Sequence, residues 1–211
     1  MEDERCNGRV AIYNGPGSRA KGAPSTGTNR ESADMNDLAE TERDFEALSI
    51  AVLTVSDTRT EQTDRSGRTL VEMLAQAGHR ATAKAIVPDD IYAVRAQVSI
   101  WIADPEIDVV ISTGGTGVTG RDGTPEAVTP LLDKVIDGFG EMFRALSYEQ
   151  IGTSTLQSRA LAGVANRTYL FVLPGSTGAC KLAWQKLISA QLDYRTRPCN
   201  LVELMPRLDE R

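Results

Sequence analysis

The sequence holds a single histidine, His79, and three cysteines, Cys6, Cys180 and Cys199, none of them in a Cys-x-x-Cys pair. A Ser-His-Asp hydrolase would have to use His79. That residue follows Gly78 at the end of a helical pattern, where an exposed turn residue is the expected reading. Scattered cysteines argue against a disulfide framework and a zinc site, and for a reducing, cytoplasmic setting. No apolar run is long enough to span a membrane, and the N-terminal stretch lacks the apolar core of a signal peptide. Positive charge is not in excess: the formal net charge is −6 over 211 residues, which speaks against a nucleic-acid-binding face. There is no internal repeat.

Side chains that can be buried are also scarce before residue 48. "NGPGSRAKGAPSTGTNRES" and "DMNDLAETERDFEA" are built from Gly, Pro, Ser, Thr and charge. Such a segment cannot offset the entropy of ordering, so residues 1–47 are expected to form a disordered extension and residues 48–211 the folded domain. The extension carries ten Asp/Glu against six Lys/Arg, hence most of the net acidity. Met35 is a candidate alternative start.

From residue 49 the pattern is regular. "SIAVLTVS" (49–56), "ATAKAIV" (81–87), "DVVIST" (108–113) and "TYLFVL" (168–173) are short, mostly continuous apolar runs. Strands covered on both faces read this way, which predicts a parallel sheet. Between them lie helical stripes: Leu70, Met73, Leu74 and Ala77, with Ser66 as a candidate N-cap and Gly78 just past the end; then Ile91, Val94, Val98, Trp101 and Ile102, opened by Asp90 and stopped by Asp104-Pro105. Leu131, Leu132, Phe139, Phe143 and Leu146 mark one or two further helices, and Trp184, Leu187 and Ile188 a last one. Alternating β and α predicts a three-layer α/β/α sandwich with a mostly parallel sheet.

Ligands of such folds gather beyond the carboxyl ends of the strands. There the sequence places Ser56-Asp57 with "DRSG" (64–67), "PDD" (88–90), "STGGTGVTGRDGTPEA" (112–127) and "PGSTGA" (174–179). All four turns are small, polar or acidic. Glycines let the backbone approach a ligand and turn successive N–H groups outward, a nest for an anion. "GTGVTG" (115–120) also satisfies G-x-G-x-x-G. In the dinucleotide fold, however, that loop follows the first strand and opens directly into a helix. Here it follows the third, and the helix waits for Thr124 as N-cap and Pro125 at its first position. No Gly-Lys-Ser/Thr marks a P-loop. "PGSTGA" offers a second nest at a helix N-terminus. Two anion loops with Asp57, Asp64, Asp89 and Asp122 point to a phosphorylated ligand with Mg²⁺, which is held by one or two carboxylates, waters and phosphates.

"TVSDTR", "DRSG", "STGGTGVTGRDGTPEA", "GFGEMFR" and "LPGS" resemble the MoaB/MogA molybdopterin-binding family. "AIVPDDIYAVRAQVSIWIA", "LSYEQIGTSTLQSRALAGVAN" and "LDYRTRPCN" are most similar to its MoaB branch. The resemblance runs from about residue 49 to about 202. It implies a molybdopterin-binding fold in which the pterin's terminal phosphate is adenylylated by Mg-ATP, or, in the MoaB branch, a non-catalytic binding or carrier role in the same pathway. It carries the glycine loop onto Thr113, Gly114, Gly115, Thr116 and Gly117. The acidic residues for adenylylation map onto Asp89 and Asp122, with Asp122 assigned to Mg²⁺ and Asp89 to positioning the nucleotide or metal. Asp57, Asp64 and Ser66 correspond to the first loop, Gly175 and Ser176 to the second, and Ser112 and Glu126 are secondary candidates. A homotrimer or homohexamer is implied as well.

Overall fold

The structure is a computed structural model that describes residues 43–208 and residue 210. Six strands form one sheet: β1 (Ser49–Val55), β2 (Arg80–Val87), β3 (Val109–Thr113), β4 (Lys134–Val135), β5 (Leu161–Ala165) and β6 (Thr168–Leu173). Their order is β2-β1-β3-β6-β5-β4. β2, β1, β3 and β6 run parallel. β5 lies antiparallel to both β6 and β4. The expected α/β sandwich with a mostly parallel sheet is what the chain forms.

Side-chain alternation on the central strands feeds two cores. Ile50, Val52, Val109, Ile111, Tyr169, Phe171 and Leu173 face one layer, with Leu70 and Leu74 of α1 (Arg65–Gln76) and Phe139 and Phe143 of α4 (Asp137–Ile151). The same layer takes Cys180 and Leu182 of α5 (Thr177–Ala183), and Trp184, Leu187 and Ile188 of the π-helical turn that continues it. Ala51, Leu53, Val110, Leu170 and Val172 face the other layer, with Val94, Val98 and Trp101 of α2 (Ile91–Ile102) and Ala127 and Val128 of α3 (Thr124–Val128). Each such Leu, Ile or Phe removed from water contributes about 1.5–3 kcal/mol before entropy is charged against it.

Several local expectations need correcting. The N-cap of α1 is Asp64, not Ser66: its carboxylate accepts the Gly67 N–H at 2.8 Å. α3 starts one residue earlier than expected, with Gly123 as N-cap and Thr124 inside the first turn. The Thr124 hydroxyl instead donates to the Gly114 carbonyl at 2.9 Å. β4 and β5 were missing from the expectation. β5 is short and rich in small residues, and it reaches β6 by the two-residue turn Asn166-Arg167, both at positive φ, the hairpin geometry that a right-handed strand twist favours.

His79 is 6% exposed rather than an exposed turn residue. Its Nδ1 accepts the Leu48 N–H at 3.2 Å. Its ring lies between Phe45 (5.1 Å) and the edge of Trp184 (6.1 Å). Residues 43–47, assigned by the sequence to the extension, contact the domain: Arg43 pairs with Glu203 at 2.8 Å and lies over the Tyr194 ring. The rest of the expected extension lies outside the described residues.

Candidate functional site

The parallel strands β1, β2, β3 and β6 all end at one edge, and β1 has β2 on one side and β3 on the other. The β1–β3 boundary is therefore the switch point, where the loops after the two strands diverge and leave a crevice. A cleft of about 780 Å³ opens there. Asp64, Ser66, Thr113, Gly114, Gly115, Thr116, Gly117, Asp122, Gly175 and Ser176 all border it.

Hydrogen bonds fasten the turns to one another. The Ser66 hydroxyl donates to the Gly175 carbonyl at 2.9 Å, and the Thr113 hydroxyl to the Pro174 carbonyl at 2.9 Å. The C=O and N–H of one trans peptide point in opposite directions. With one carbonyl held by the Thr113 hydroxyl of β3 and the other by the Ser66 hydroxyl of α1, the Gly175 and Ser176 N–H groups, at the start of α5, are turned away from those hydroxyls. Ser176 caps that helix, its oxygen accepting the Ala179 N–H at 3.1 Å. An anion is favoured at such an end by the unpaired N–H groups and the helix dipole. A Cβ on Gly175 would sit 3.3 Å from the Gly114 Cα, so the two glycine turns are in contact. Gly114 and Gly115 have φ of +108° and +63°.

Asp64 is 1% exposed and forms the floor. Besides capping α1 it accepts the Thr54 hydroxyl at 2.9 Å and pairs with Lys84 at 3.1 Å. Its bonds are spent on structure.

Asp89 and Asp57 stand outside the main cleft. Asp57 accepts the Asp89 N–H at 3.1 Å and is ion-paired with Arg121. Asp122 lies between: it borders the main cleft and also a depression of about 410 Å³ that holds Asp89, Arg121, Gly123 and Glu126. The two carboxylates differ electrostatically. Hydrogen bonds hold Asp122 below the usual carboxylate range: the Thr119 hydroxyl first, then the N–H groups of Thr119 and Gly117, helped by the Arg159 charge. Partial burial and the charges of Asp122 and Asp57 push Asp89 upward, against the Gly123 N–H and Arg121. Asp89 is thus a carboxylate short of compensating positive charge. Asp89 and Asp122 supply hard oxygen donors suited to Mg²⁺. Among the described residues no three His, Cys, Asp or Glu side chains gather to hold a metal. Two such carboxylates could supply part of the oxygen shell of a hard cation.

The two secondary candidates differ: Ser112 lies off the cleft, whereas Glu126 borders the Asp89 depression. Ser112 is 2% exposed within β3, its hydroxyl toward the Phe171 carbonyl at 3.5 Å, and does not border the cleft. Glu126 is ion-paired with Arg159, whose charge and hydrogen bond hold it below its ordinary value. The sequence reading missed Arg159, whose guanidinium donates to the backbone of the glycine loop. It also missed the far wall, built from Phe143, Ser147 and Ile151 of α4 and from Ser154, Gln157 and Ser158. The Ser158 Oγ is buried there without a hydrogen-bond partner.

These features define a class: an α/β domain with two glycine-containing turns in contact and an acidic rim at one sheet edge. The family described as "Probable molybdopterin binding domain" matches residues 51–194. The molybdenum cofactor biosynthesis protein B of Escherichia coli (strain K12) is 55% identical over 163 residues, which cover 77% of this chain and 96% of that protein. The protein of the same name from Staphylococcus carnosus (strain TM300) is 51% identical over 150 residues, 70% of this chain and 88% of that one. A crystal structure of molybdenum cofactor biosynthesis protein B is 42% identical, with a TM-score of 0.72, over 80% of this chain and all of that one. The tungsten cofactor synthesizing protein MoaB of Pyrococcus furiosus is 39% identical, with a TM-score of 0.59, over 65% of this chain and 88% of that one. The chain belongs to the molybdopterin-binding family, in the branch of molybdenum cofactor biosynthesis protein B.

Proposed function

We propose that the protein acts in molybdenum cofactor biosynthesis by binding molybdopterin in the large cleft and adenylylating its terminal phosphate with Mg-ATP. The observation that carries the reading is Asp122, a carboxylate on the wall shared by the large cleft and the Asp89 depression. A phosphate on one side and a nucleotide on the other would meet at it. The Gly175 and Ser176 N–H groups hold the pterin's phosphate, and Asp89 orients the nucleotide. A terminal phosphate oxygen attacks the α-phosphorus of ATP. One P–O bond forms, the bond to the β-phosphate oxygen breaks, and pyrophosphate leaves. Mg²⁺, when bound, neutralises charge on the reacting phosphates. The chain's own part is alignment of two anions that otherwise repel. Arg59 and Arg65, the cations bordering the cleft, reduce that repulsion.

The second reading, a non-catalytic carrier of molybdopterin, is favoured by Asp64 and Ser66. Both border the cleft yet are spent on structural bonds, as a binding module without chemistry would allow. Incubation of the purified protein with molybdopterin and Mg-ATP alone separates the two. Adenylylated molybdopterin supports the enzyme, whereas bound but unchanged molybdopterin supports the carrier. A homotrimer or homohexamer belongs to the same proposal. Met142, Tyr148, Ile151 and Leu156 leave a large apolar surface exposed along α4 and just beyond it, which a second copy would cover.

A further inference from the structure

The Arg159 guanidinium makes contacts that ordinary surface arginines do not. Nε donates to the Gly117 carbonyl at 2.8 Å and the Thr116 carbonyl at 3.3 Å. Nη2 donates to the Asp122 carbonyl at 2.7 Å, and Nη1 pairs with Glu126. Three loop carbonyls are thus gathered on one rigid fork, a task for which the planar guanidinium is suited and an ammonium is not.

What those carbonyls belong to matters more. The Thr116 carbonyl shares its peptide with the Gly117 N–H, and the Asp122 carbonyl shares its peptide with the Gly123 N–H. In a trans peptide the two groups point opposite ways. Held toward Arg159 by their oxygens, both peptides turn their N–H groups away from it. The Gly117 backbone stands against the Asp122 carboxylate, whose Oδ2 would lie 2.6 Å from a Cβ there, and its N–H helps hold that carboxylate down, while the Gly123 N–H points to the Asp89 Oδ1 at 3.5 Å. A positive charge on a peptide oxygen also polarises that peptide and strengthens its N–H as a donor.

We propose that Arg159 is a positioning residue for both carboxylates, setting Asp122 through the Thr116–Gly117 peptide and Asp89 through the Asp122–Gly123 peptide. It touches neither carboxylate itself. This deepens the adenylylation reading and rests on it for the cation that the two carboxylates would share. Glu126 holds the opposite edge of the fork and is not needed for the carbonyl contacts.

The test is Mn²⁺ binding, read by electron paramagnetic resonance with ATP present, for wild type, Arg159→Met, Arg159→Lys and Arg159→Gly. Loss of such an outer-shell partner weakens metal affinity by about 10–100-fold. That loss is expected for Arg159→Met at an unchanged circular dichroism spectrum. Arg159→Lys should resemble Met, because charge without the fork cannot hold three carbonyls. Added guanidinium should restore binding to Arg159→Gly, which loss of fold could not explain. Wild-type Mn²⁺ affinity in Arg159→Met overturns the positioning role and leaves the adenylylation reading standing. Failure of the wild type itself to bind Mn²⁺ with ATP overturns both.

Discussion

The Asp89 Oδ1 lies 2.8 Å from where a Cβ on Gly115 would stand, and the Thr124 hydroxyl is nearer still, at 2.3 Å. Gly115 also has a φ of +63°, a region that L side chains enter at a cost. The loop is closed against its own acidic rim. Gly115→Val should therefore displace Asp89 and the loop together. Nucleotide and molybdopterin binding, followed by calorimetry, should fall by at least about tenfold, a cost of about 1.4 kcal/mol. Far-ultraviolet circular dichroism should remain that of the wild type. Unchanged binding would remove the loop from the site.

His79 gives the domain an acid-sensitive joint. Burial, and secondarily the Arg80 charge, lower its pKa from the ordinary 6.5, against the pull of Asp193. The folded state takes up the proton less readily than the unfolded one, so stability from this group is complete above pH 6.5 and declines as pH falls below it. Protonation would also set an N–H against the Leu48 N–H that Nδ1 accepts. His79→Gln keeps an acceptor but cannot titrate. Urea unfolding between pH 8 and pH 5 should show a shallower acid decline in the variant, at a cost of about 1 kcal/mol at pH 8. Parallel curves for the two proteins would rule the joint out.

Asp64 is a structural carboxylate in a functional place. It caps α1, accepts from Thr54 and balances Lys84 while almost wholly buried. Asp64→Ala removes the cap and leaves buried donors unmatched, so unfolding free energy should fall by about 2–3 kcal/mol. Denaturant titration measures this. A loss under about 0.5 kcal/mol, the range of ordinary surface changes, would show that the bonds contribute little.

Much of this was legible in the chain. β1, β3 and β6 are buried on both faces, so they read as apolar runs, and the four polar turns after the parallel strands marked the sheet edge. β4 and β5 were hidden because "KV" and "LAGVA" lack bulky runs. The Asn166-Arg167 turn was the available signal for that hairpin. Ser112 looked like a site residue because it adjoins the glycine loop in sequence, but strand alternation puts it on the buried face shared with Val110, away from the cleft that Thr113 borders. Arg159 left no trace, since its loop partners are backbone carbonyls and any residue supplies a carbonyl. His79 was misread because its burial depends on Phe45, part of a segment whose composition reads as an extension.

Asp89 should trade stability for binding. Burial and neighbouring carboxylates raise its pKa from 3.8, so the folded protein holds the proton more readily than the unfolded chain. Stability from this group is therefore full below the ordinary value and lost as pH rises through the raised one. Asp89→Asn removes the repulsion. At pH 7 its melting temperature without ligand should exceed the wild type's, while Mg-ATP should shift that temperature less. Differential scanning fluorimetry with and without Mg-ATP checks both, and a lower melting temperature for the variant would contradict the stated electrostatics.

Pyrophosphate release in the presence of molybdopterin and Mg-ATP, compared between the wild type and Asp122→Asn, bears most directly on the proposed chemistry. Asn keeps the shape of Asp122 and discards its charge. Release should be measurable for the wild type and lower by at least about two orders of magnitude in the variant, as when a transition-state charge loses its partner. Molybdopterin binding, measured in parallel, should be retained. Equal rates in the two proteins, or no release by the wild type, would contradict the account.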